Sequence, residues 1–126
     1  MAKRKKFQLD YTIKSSPAIL FDFVSTPSGL AQWFADRVDQ IGSEFIFDWD
    51  GNETRAILVD GIEEEFARFQ WKGGNKDEFF EFQISKTEIS NDTVLSVIDF
   101  CDEKEVKDQQ RLWDSQIKTL MQRIGS

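Results

Sequence analysis

The sequence predicts an α+β fold: a curved antiparallel sheet of about seven strands wrapped around one long C-terminal helix, in the order β-α-α-β6-α. Three observations carry this expectation. Apolar and polar residues alternate with period two in short segments between Lys6 and Phe100. Two proline-initiated helical stretches follow the first of those segments. From Asp102 onward the apolar spacing lengthens to three and four residues and stays there to the C-terminus.

The first segment, KFQLDYTI, sets Phe7, Leu9, Tyr11 and Ile13 against Lys6, Gln8, Asp10 and Thr12, which is a strand with one buried face. In SSPAILFDFVST, Ser16 fits an N-cap and Pro17 the first helical position, where a missing N–H costs nothing. Leu20, Phe23 and Val24 share one side of that helix. TPSGLAQWF repeats the pattern with Thr26 as cap, Pro27 in the first turn, and Leu30, Trp33 and Phe34 at helical spacing. A short strand is expected over Arg37–Ile41. Phe45, Phe47 and Trp49 then alternate up to Asp50-Gly51, a hairpin signal, and 54–62 returns as the partner strand. Ala67, Phe69 and Trp71 define the next strand. After the turn-rich KGGNKD, Phe80, Phe82 and Ile84 define another, and TVLSVIDF completes the run. In the final segment Asp102 and Glu105 match a capping box. Val106, Trp113, Ile117, Leu120, Met121 and Ile124 form an apolar stripe of more than five turns, ending before Gly125. That stripe needs an apolar partner, and the concave face of the sheet is the surface that offers one.

The chain's 126 residues suit a single domain, 1–126, with MAKRKK as a basic, solvated and mobile N-terminus. Hydrophobic residues are 40% and charged residues 31%, a globular mixture without low-complexity tracts. The formal charge is -7, from 16 basic and 23 acidic residues. Four of the basic residues are Lys3, Arg4, Lys5 and Lys6, which leaves twelve against 23 and a balance of -11 elsewhere. Such a body repels phosphate backbones, so no nucleic-acid partner is expected. No apolar run reaches the ~18 residues of a membrane span, and no secretory signal is evident, so stable membrane insertion is not expected and a cytoplasmic location is. The single Cys101, which cannot form an internal disulfide, fits the same compartment.

No histidine is present, so the usual nucleophile–base pairs of hydrolases cannot form, and Cys101 has no imidazole to activate its thiol. No enzyme activity, cofactor or metal site is expected. Asp48, Asp50, Asn52 and Glu53 in DWDGNE superficially match a calcium loop, but the bidentate twelfth-position Glu and helical flanks are missing; the segment suits a hairpin turn better. WKGGNK is likewise a turn. Most carboxylates, Glu63, Glu64 and Glu65 among them, fall in turns or on outward strand faces, and Glu81 belongs to that outward set. Asp99 stands apart, because it interrupts an apolar strand where an unpaired carboxylate would be costly; Arg55 or Arg68 is the expected partner. Aromatic residues make up 13% of the chain, enough either to fill the hollow under a curved sheet or to line a pocket within it.

The segments PSGLAQWFAD (27–36), FIFDWDG (45–51), FARFQW (66–71), FFEFQI (79–84) and RLWDSQIKTL (111–120), in this order of elements, resemble the helix-grip fold of START-like proteins. This is the SRPBCC superfamily, which includes the birch pollen allergen type. Within it the chain is most similar to the branch homologous to the activator of the heat-shock chaperone ATPase. The resemblance implies a cavity between sheet and long helix with its mouth near the two short helices, and Trp33 and Phe34 in its lid or floor. The wall residues it implies are Trp33, Phe34, Phe47, Trp49, Phe69, Trp71, Phe80, Phe82, Trp113 and Ile117. The function expected is non-catalytic binding of a small hydrophobic or amphipathic ligand there. The alternative is a protein-interaction module of the chaperone-activator type, with a filled core and a protein partner.

Overall fold

The computed structural model of the protein describes residues 3–125. Seven strands form one antiparallel sheet in the order β1-β7-β6-β5-β4-β3-β2. They are β1 (Arg4–Ile13), β2 (Arg37–Ile41), β3 (Glu44–Trp49), β4 (Asn52–Ile62), β5 (Phe66–Trp71), β6 (Phe80–Lys86) and β7 (Thr93–Asp102). Helices α1 (Pro17–Ser25) and α2 (Pro27–Leu30) carry the chain from β1 to the opposite edge strand β2, and α3 (Val106–Ile124) closes it. The α+β helix-grip architecture is therefore as the sequence predicts.

Several local predictions have identifiable physical causes. Trp49 and Asn52 close the β3–β4 hairpin, and Asp50 (φ 52°) and Gly51 (φ 85°) both adopt the left-handed conformation of a two-residue primed turn. Asp48 and Asp36 accept the Gly51 and Asp50 backbone N–H groups at 2.8 and 2.7 Å, so the carboxylates of DWDG and its neighbour serve the turn. Thr26 links the two short helices. Its hydroxyl donates to the Asp22 carbonyl at 2.7 Å, ending α1, and accepts from the Gly29 N–H at 3.0 Å, starting α2. Gly29 is required at this joint, since a Cβ there would lie 2.1 Å from the Asp22 carbonyl oxygen. A register shift between Leu58 and Asp60 bends β4 and adds to the curvature of the sheet.

Four expectations need correction. Arg4, Lys5 and Lys6 are not a mobile tail: they begin β1 and pair with Asp102, Cys101 and Phe100, while Met1 and Ala2 lie outside the described residues. Helix α2 stops at Leu30, so Trp33 and Phe34 sit in the turn after it; the Phe34 N–H still donates to the Leu30 carbonyl at 2.8 Å. The Asp102–Glu105 capping box does not form. Asp102 instead caps a 3-10 turn over Glu103–Glu105 through the Lys104 N–H, and α3 begins only at Val106. Glu81 faces outward as the alternation requires, yet is only 2% exposed, because Arg68 from β5 covers it and Gln83 donates to it.

Paired registers put Leu9, Val97, Phe82, Ala67 and their neighbours on the inner, concave face. Phe45, Phe47, Phe69 and Phe82 on that face are 0% exposed, and Phe80 1%. Each such ring contributes about 1.5–3 kcal/mol by burial. Trp113, Ile117 and Leu120 supply the matching stripe of α3. Three polar contacts fix the helix: the Tyr11 hydroxyl donates to Asp114 at 2.6 Å, the Trp113 indole N–H to Asp99 at 2.9 Å, and the Gln116 amide to the Phe34 carbonyl at 3.1 Å.

Candidate functional site

Phe34 sits where sheet, short helices and long helix meet. Its ring lies edge-on to Phe47 at 5.1 Å and Trp49 at 5.3 Å, and is stacked with Phe80 at 5.7 Å and Trp113 at 5.8 Å. On one side of this ring the interior is filled. On the other the aromatic packing stops and a groove of about 560 Å³ begins, within the range of about 300–1,000 Å³ usual for small-molecule sites.

The groove follows from strand lengths. The β6–β7 ladder stops at Glu81–Ile98, whereas β1–β7 continues to Arg4–Asp102, so residues Asp99–Asp102 have a ladder partner on one side only. Phe34, Trp49, Trp71 and Trp113 form its aromatic floor and wall, with Asp99, Cys101, Gln109 and Gln116 as polar groups and Leu112, Glu105 and the Arg4–Glu78 pair at the rim. Leu112 is 53% exposed and Glu105 is exposed, which leaves the groove open to solvent beside the first turns of α3. Of the region of the two short helices, where the mouth is expected, only Phe34, after α2, reaches this groove.

The ten wall residues divide between groove and core. Phe34, Trp49, Trp71 and Trp113 line the groove. Trp33, Phe47, Phe69, Phe80, Phe82 and Ile117 lie in the packed interior, where Trp33 donates its indole N–H to the Phe23 carbonyl at 2.7 Å and meets Phe82 edge-on. Alternation places all the inward rings on one face but does not say where along the strands packing ends. The groove residues missed from the sequence are Arg4, Glu78, Phe79, Phe100, Glu105, Gln109, Leu112 and Gln116. Arg4 and Phe100 arrive through the pairing of β1 with β7, which no local pattern encodes, whereas Glu105, Gln109, Leu112 and Gln116 recur at the three- and four-residue spacing of one helix face beside Trp113, a signal the sequence did carry.

Asp99 is half-buried and takes neither of its expected partners. Arg55 pairs with Glu44, and Arg68 with Glu81. One Asp99 carboxylate oxygen accepts the Trp113 indole N–H at 2.9 Å and the other accepts the Phe100 backbone N–H at 2.7 Å. Burial raises its pKa above the ordinary carboxylate range, and these two hydrogen bonds only partly offset the effect. Burial, with Asp99 nearby, also pushes the Cys101 thiol up, so the thiol stays protonated at neutral pH and unreactive. At the rim Arg4 grips Glu78 in bidentate fashion, at 2.7 and 2.9 Å, which holds the Glu78 carboxyl below its usual range. No group of three or more acidic, Cys or His side chains suited to a metal occurs among the described residues. Chemically, the groove offers aromatic faces, a carboxylate with spare acceptor capacity and two amides.

A family description, START-like superfamily domain, matches residues 1–126, and the chain belongs to that superfamily. Among solved structures, a Bacteroides fragilis protein determined by solution NMR is 33% identical with TM-score 0.69, the match covering 98% of this chain and 92% of that one. The Aha1 dimer from Colwellia psychrerythraea is similar at 17% identity and TM-score 0.78, covering 95% and 96%. The Bacillus halodurans protein BH1534 is similar at 17% identity and TM-score 0.76, covering 98% and 99%. The last two likenesses concern the fold alone. Comparison with curated proteins returned no match. No described helix is long and apolar enough to cross a membrane.

Proposed function

We propose that the protein is a non-catalytic receptacle that binds a small hydrophobic or amphipathic molecule in the groove between the sheet and α3, in the cytoplasm. One observation carries this: three of the four tryptophans, Trp49, Trp71 and Trp113, line a solvent-open groove of about 560 Å³ at the edge of the core. Aromatic walls left at a boundary with water favour an apolar guest, and the few polar groups beside them orient it. Membership of the START-like superfamily supports the same reading. A neutral apolar dye, Nile red, tests it. Its emission should rise and shift to shorter wavelength on binding, Trp71→Ala should weaken the effect severalfold, and Glu88→Ala, on an exposed loop, should not. Equal dye binding by wild type and Trp71→Ala would overturn the proposal.

The packed interior beneath the sheet favours a second reading, an interaction module of the chaperone-activator type. A net charge of -7 then selects a basic protein partner. Such a complex should weaken as salt rises, and a partner held equally at low and high ionic strength would speak against it.

A further inference from the structure

We infer that the guest of this groove carries a positive charge: an organic ammonium with an apolar body, held by Asp99 and Glu105. The inference rests on the receptacle function proposed above and adds the chemical class of the ligand.

The charges around the groove are unbalanced. Its one lining cation, Arg4, is already committed to Glu78 through two hydrogen bonds. Asp99 and Glu105 form no ion pair among the described residues. The nearby lysines do not restore balance: Lys5 on β1, Lys104 in the 3-10 turn and Lys107 on α3 are exposed and outside the lining. A carboxylate offers about four acceptor sites, and Asp99 uses two of them, for Trp113 and Phe100. The remaining capacity meets the groove, where burial makes a charged Asp99 costly until a cation compensates it. The surrounding indoles favour the same sign, since their negative faces attract ammonium groups. A fatty-acid carboxylate or a phosphate headgroup would instead meet two uncompensated acids and no free lining cation.

The test uses three ligands with one tail and different heads: decyltrimethylammonium, decanol and decanoate, each below its micelle concentration and at low salt. Calorimetry and tryptophan fluorescence report binding, the latter because three indoles line the groove. The ammonium should bind about tenfold or more tightly than decanol, and decanoate more weakly than decanol. Asp99→Asn and Glu105→Gln should each shrink the ammonium-to-decanol ratio. Glu105 is exposed, so its variant tests the charge even if the Asp99 variant folds poorly. Decanoate binding as well as the ammonium, or a ratio unchanged in both variants, would overturn the charge selectivity and leave the receptacle standing. Failure of all three ligands to bind, together with failure of Nile red, would overturn both.

Discussion

Replacing Phe34 by Ala is the most informative single perturbation, because this ring joins the packed core to the groove. It is 4% exposed, with neighbouring rings at 5.1 to 6.2 Å from β3, β6 and α3. Truncating a buried phenylalanine costs about 3–5 kcal/mol through lost transfer energy and the cavity left behind. Phe34 belongs in that range because the surrounding rings come from separate elements and cannot easily collapse together. Total stabilities of about 5–15 kcal/mol make such a loss severe. An unfolding entropy of about 2.1 cal/mol/K per residue gives about 0.26 kcal/mol/K for 126 residues. A loss of about 4 kcal/mol therefore lowers Tm by about 15 °C. Urea unfolding followed by far-UV circular dichroism measures the first quantity and calorimetry the second. Phe34→Leu should lose less, and Ile89→Ala, fully exposed, almost nothing. A loss below about 1 kcal/mol for Phe34→Ala, an ordinary surface-like value, would refute the role assigned to this ring.

Three further outcomes are expected. Gly29→Ala should destabilise by several kcal/mol, well beyond a helix-propensity effect, because its Cβ would overlap the Asp22 carbonyl; unfolding within about 1 kcal/mol of wild type would mean that α1 and α2 can separate freely. Asp99 has a raised folded-state pKa, so its contribution is fully favourable below its unfolded value of 3.8 and is lost as pH rises through the folded one. Asp10 and Glu78, whose pKa values are lowered, act in the opposite sense, so the difference between wild type and Asp99→Asn isolates the effect. Measured by urea midpoints, wild-type stability relative to that variant should fall from acidic to neutral pH, and a rise would contradict the assignment. Cys101 should react with iodoacetamide far more slowly in the folded protein than in urea; equal rates would show the thiol to be accessible.

What the sequence determined by itself was everything carried by local pattern. Alternation fixed the strands and their inward faces, Asp50-Gly51 fixed a hairpin, and Thr26-Pro27 fixed a helix start. The lengthened period after Asp102 fixed the long helix and its buried stripe, although not the 3-10 turn that delays it, since capping residues there can serve either turn. Tertiary structure decided the rest. Pairing β1 with β7 turned Arg4, Lys5 and Lys6 from an apparent tail into strand, and brought Arg4 to Glu78 across 74 positions of chain. The early end of the β6–β7 ladder decided that Phe34, Trp49, Trp71 and Trp113 meet open space while Phe47, Phe69 and Phe82, indistinguishable by pattern, do not. It also gave Asp99 an indole partner from α3 in place of an arginine. Period and propensity are properties of neighbours in sequence. A groove arises where ladders of unequal length and a helix from the far end of the chain meet, and those distances exist only after the chain has folded.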